Sequence, residues 1–198
     1  FYQYTMIRLE KMLTWTSAIC YESAHAINEY IVTLSLHEGT QDQIQQNVAY
    51  QRLKWWISEV MHGSVMINQN DNLTQAYQQT PQRVLALPSD PVDHAVAMML
   101  YLKINAIMEG RLILDEIKLG SEQGDHMCYL HSNEIDGIYF EGGGWWDDPG
   151  PVWQYVQDQN HESNVVNLIK KSTWRDQGLG WESPTETDQV IVVDFARR

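Results

Sequence analysis

Residues 4–36 contain neither glycine nor proline, so nothing in this long opening stretch interrupts a regular backbone conformation. Within it, apolar side chains recur at Met6, Leu9, Leu13, Cys20, Ala24, Ile27, Ile31 and Leu34, and spacings of three, four and seven residues describe one stripe of an α-helix. Read as a single helix the segment would be roughly 50 Å long at 1.5 Å per residue, so a break near Thr16 and Ser17 is expected. Gly39 ends it. Thr40 and Gln43 have the spacing of a capping box, which opens a second helix over residues 41–61 with Ala49, Leu53, Trp56, Ile57 and Val60 on one side.

The polar stretch 68–83 reads as a connecting loop, and Ser89-Asp90-Pro91 supplies the start of a third helix that carries Ala95, Met99, Leu102 and Ala106 inward as far as Gly110. Beyond Gly110 the pattern changes to short apolar runs with turn signals. Residues 112–119 and 127–131, separated by Gly120-Ser121-Glu122-Gln123-Gly124, predict a β-hairpin. Residues 137–140, 165–169 and 190–195 predict further strands. The expected fold class is therefore α+β in a single domain over residues 1–198: an N-terminal helical layer of about three helices (residues 4–110) packed with a C-terminal, mostly antiparallel β region (residues 111–198).

Composition narrows the function classes. Thirteen Lys and Arg against 26 Asp and Glu give a formal charge of −13, a field that repels phosphate backbones, so nucleic acid is not an expected partner. Arg8, Glu10, Lys11, Glu22, His25 and Glu29 interrupt the opening apolar stretch too densely for a bilayer span or a signal core, so no membrane is expected either. With 2 cysteines among 198 residues, Cys20 and Cys128, a disulfide framework is not expected and a cytoplasmic location is.

The sharpest chemical pattern is a repeated spacing, Glu22-x-x-His25 and Glu59-x-x-His62. On a helix, positions i and i+3 share a face, so each pair can present a carboxylate and an imidazole to one ion. Mixed oxygen and nitrogen ligands of this kind suit Fe, Mn or Zn, with Glu29, Asp93, His94 and Glu109 as further donors. Set against this, each pair lies roughly 150° from the apolar stripe of its own helix, where solvent is the ordinary neighbour.

A second candidate is the loop 141–151, in which glycines precede Trp145, Trp146, Asp147 and Asp148, with Trp153 just after. Exposed indoles and adjacent aspartates would bind a sugar or a peptide, whereas indoles folded inward would simply close the sheet. Cys128, on the expected hairpin, reads as a buried free thiol. Trp55 and Trp56 sit about 100° apart on a helix, so one core cannot take both and one of them is a candidate subunit contact. No hydrolase or phosphate-loop signature occurs. The sequence thus points to a soluble acidic interaction or structural protein without catalytic activity, binding a protein partner or itself. The alternative is a metal-dependent enzyme that uses Glu22, His25, Glu59 and His62.

Overall fold

The computed structural model describes residues 8–22, 24–78, 80, 82–132, 144–151 and 173–182. Its first elements overturn the expected helical layer. Residues Arg8–Tyr21 form strand β1 and Ala24–Glu38 form strand β2, an antiparallel hairpin in register from Arg8 opposite His37 to Tyr21 opposite Ala24. Tyr30, Val32, Leu34 and Leu36 are all buried at every second position, which is the period of a strand. The apparent helical stripe drew on both faces of this hairpin. Leu9, Leu13, Ala24 and Leu34 share the face of the buried residues, whereas Cys20, Ile27 and Ile31 share the other. Trp15 and Tyr30 are cross-strand partners with rings stacked at 4.9 Å, a pairing that fixes the register.

The rest of the chain builds outward from this hairpin. Helix α1, Gln43–Trp56, continues as a π-helical turn, Ile57–Met61. Its cap is Asp42, whose carboxylate accepts from the Ile44 and Gln45 amides at 3.0 and 3.2 Å, while Thr40 accepts from the Asp42 amide at 3.3 Å. Strand β3, Val65–Asn68, lies parallel to β1. The short helix α2, Thr74–Gln78, leads to β4, Val84–Leu87, parallel to β3. Helix α3, Asp93–Met108, then returns to β5, Leu112–Ser121, antiparallel to β2, and β6, Tyr129–Ser132, pairs antiparallel with β5 as the hairpin pattern predicts.

The result is one mixed sheet in the order β4-β3-β1-β2-β5-β6, with helices that mostly follow strands. Helices α1 and α3 cover one face, and Ala95 to Leu100 of α3 are buried without interruption because sheet, α1 and the tryptophan turn enclose that helix. The opposite face of the hairpin presents Met12, Ile27 and Ile31. The strands expected at 137–140, 165–169 and 190–195 lie outside the described residues.

Candidate functional site

Strand and helix rise differently, and that mismatch opens the site. The 14 residues of β1 span about 46 Å at 3.3 Å per residue, and the 16 residues of α3 about 24 Å at 1.5 Å per residue. The hairpin therefore overruns α3, and the uncovered part of its helix-side face becomes the floor of a cleft of about 560 Å³. Ile19, Ala24 and Ala26 form that floor, where the two alanines give depth. Pro91 and Val92 stand at the start of α3 on one side, and Met127 and Tyr129 on the other.

Polar groups hold the walls in place. The Ser121 hydroxyl donates to the Asp93 carboxylate at 2.8 Å and accepts from the Gly124 amide at 3.1 Å. A β-carbon on Gly124 would strike that carboxylate, so any other residue there would have to displace the Asp93 side chain from its Ser121 contact. Asn28 accepts from the Gln123 amide at 3.0 Å and ties the β5–β6 turn to β2. His94 packs on Tyr129 with ring centroids 5.8 Å apart. No side chain caps the start of α3, and Pro91, Val92, Asp93 and His94 at that start line the cleft.

The turns around this end carry Glu22, Asp71, Asp90, Glu122 and Asp125, the first residue of α3 adds Asp93, and residues 19–28, 67–78, 87–94 and 120–129 contain no Lys or Arg. The field is felt locally. Glu22 is the largest cause that pushes the Tyr21 phenol above its ordinary value, with burial and Asp90 adding to it. Burial, and then the Asp71 charge, push the Cys20 thiol up. Three rim residues, Glu22, Asp125 and His126, hold positive φ angles of 48, 53 and 56°, a left-handed conformation that side chains with a β-carbon adopt at a cost.

The residues singled out from sequence fall elsewhere or in other roles. Glu22 sits in the β1–β2 turn and His25 on β2, opposite Cys20, with the Tyr77 hydroxyl 2.7 Å from its Nδ1. Glu59 is exposed on the π-helical turn beside Ser58, and His62, just past it, accepts from the Thr16 amide at 3.3 Å. The two Glu-x-x-His pairs thus do not lie on paired helices, because the first belongs to a hairpin turn. Among the described residues no group of three or more His, Cys, Asp and Glu is gathered to hold an ion, and Glu29 and Glu109 join no such group.

The tryptophan loop turns inward. Trp146 is buried, and Trp145 donates from Nε1 to the Ala86 carbonyl at 2.8 Å while its ring lies 6.4 Å from that of Trp56. Lys103 of α3 donates to the carbonyls of Trp145, Asp148 and Gly150 at 3.3, 2.5 and 2.9 Å. Asp147 and Asp148 are therefore parts of a turn tethered from inside, and Trp153 lies outside the described residues. Cys128, expected to be buried, is exposed and lines the cleft, because it precedes β6 instead of lying within it. Trp56 is buried, and Trp55 packs edge-on against Trp174 at 5.6 Å.

No family model matches the sequence. No curated protein matches it either. Among solved structures, the crystal structure of an uncharacterized protein from Wolinella succinogenes is similar over 65% of this chain and 98% of that one, at 9% identity and a TM-score of 0.48. Among the described residues, no helix is long and apolar enough to cross a membrane. The cleft itself was missed at the sequence level. Its signal was the pairing of acid-bearing turns with long stretches free of Lys and Arg, which gains meaning only once the topology gathers those turns at one end.

Proposed function

We propose that this chain is a non-catalytic interaction protein that binds a basic partner protein through the acidic end of its sheet. The observation that carries this reading is the one-signed charge of that end. Glu22, Asp71, Asp90, Asp93, Glu122 and Asp125 sit there with no Lys or Arg in the surrounding segments. Placing like charges together costs stability, and such a field accelerates encounter with an oppositely charged surface. It also opposes self-association through the same end, so a different chain is the favoured partner. The cleft offers binding chemistry instead of a catalytic pair: the Asp93 carboxylate is engaged by Ser121, and the only hydrogen bond described for the Cys128 thiol is to the Tyr129 carbonyl, at 4.0 Å.

The test is fluorescence anisotropy with a Lys/Arg-rich peptide and a Glu-rich control across a salt series. Binding of the basic peptide alone, weakened as salt rises and weakened at least fivefold by combining Glu22→Gln, Asp90→Asn and Asp125→Asn, is expected. Equal binding by the neutralised variant, or none by the wild type, would overturn the reading.

A further inference from the structure

Resting on the reading above, we propose that the cleft beside α3 is an anchor pocket for an extended, basic segment of the partner, which inserts one apolar side chain between cationic neighbours. The pocket and its rim differ in chemistry. The interior is apolar, with Ile19, Ala26, Pro91 and Tyr129 around it and Met127 75% exposed at its edge. A ligand recognised by charge alone would gain nothing from such a surface, whereas an aliphatic or aromatic side chain would be desolvated there.

The rim charges lie on separate turns: Glu22 between β1 and β2, Asp90 before α3, and Glu122 and Asp125 between β5 and β6. One cation cannot meet carboxylates spread over three turns. The matching ligand is therefore multiply charged and long enough to cross the cleft, which is the property of a chain segment and not of a small amine. The volume of about 560 Å³ exceeds a single contact point and falls within the range of pockets that enclose several groups at once.

Cys128 makes the proposal testable without a substitution in the core, since its thiol is exposed at the cleft while Cys20 is buried. Two peptides of equal charge are compared on the full chain, one with leucine and one with glycine between paired lysines. The leucine peptide is expected to bind about tenfold tighter, and to slow the reaction of Cys128 with a maleimide. A bulky maleimide on Cys128 should erase that tenfold preference and leave the charge-driven binding, whereas methylthiolation should preserve it. Equal affinities for the two peptides, both still salt-dependent, would overturn the pocket while leaving the acidic-end reading intact. Binding of neither peptide would overturn both. A preference for hexylamine over the leucine peptide would overturn the chain-segment ligand in favour of a small one.

Discussion

Lys103 carries an ammonium into the core of α3 and spends it on three backbone carbonyls of the tryptophan turn. Burial pulls its pKa from 10.5 down to about 8, with the Asp148 and Asp147 charges pulling back. The sign follows directly. Between about 8 and 10.5 the unfolded chain holds a proton that the folded one has released, so the free energy of unfolding rises with pH through that window. Below pH 8 this contribution is lost, by about 3 kcal/mol at most. Denaturant titrations from pH 7 to 10 should show the rise in wild type and a flatter profile in Lys103→Met. Parallel profiles would disprove the assignment. The comparison stops near pH 10 because Tyr30, whose buried hydroxyl is pushed far up, acts in the opposite sense above it. Glu22 is the other residue whose setting decides much. Its φ of 48° in the two-residue turn is the conformation that asparagine or glycine adopts cheaply. Glu22→Gly should stabilise the protein by about 1 kcal/mol in urea denaturation, and an unchanged or lower midpoint would count against a strained turn. The same residue explains why the hairpin was illegible: Glu22-Ser23 lacks the Gly, Asn or Asp that marks a two-residue reversal.

At the scale of elements, legibility followed how local the signal was. Helix α3 was readable because Ser89-Asp90-Pro91 and Gly110 bracket it, and its observed limits, Asp93–Met108, fall within them. The β5 and β6 pair was readable because glycines flank its turn. The β1–β2 hairpin was not, since its long strands are half-buried on one face and carry Ile27, Ile31 and Met12 on the other, which blurs the alternation a strand normally shows. Residues 173–182 show a different kind of hidden contact. The Trp181 ring lies 3.5 Å from the Arg52 guanidinium carbon and 4.2 Å from that of Arg111, and its Nε1 donates to Glu109 at 3.2 Å. Arg52 also donates to the Leu179 carbonyl at 2.9 Å and to Glu109 at 2.8 Å. No sequence pattern announces an indole clasped between two guanidinium planes from distant elements. Trp181→Ala should release this segment, so trypsin should cut after exposed Arg175 several-fold faster while the main unfolding transition moves little. A cleavage rate equal to that of wild type would show that the clasp does not hold the segment.

Across the whole molecule, the charge of −13 was legible from composition, but its placement was not. Placement depends on parallel β1, β3 and β4 delivering their C-terminal ends to the same edge, where the β1–β2 turn, the approach to α3 and the β5–β6 turn also meet. Two arginines lie away from it, where Arg52 and Arg111 both pair with Glu109 just past the C-terminal end of α3. A molecule with so uneven a field should respond to salt in two opposite ways, losing affinity for a basic peptide while the free protein gains stability. Screening relieves repulsion among Glu22, Asp71, Asp90, Asp93, Glu122 and Asp125 in the free protein, because the Debye length falls to about 10 Å at 0.1 M and the exposed members interact through solvent. Thermal unfolding should therefore shift upward by a few degrees between 10 and 300 mM sodium chloride. The combined Glu22→Gln, Asp90→Asn and Asp125→Asn variant should show a smaller shift and a higher starting midpoint, since the repulsion it lacks can no longer be screened. If the variant and the wild type respond to salt equally, the self-repulsion lies elsewhere on the surface, and the acidic end would lose the energetic asymmetry on which its role in binding depends.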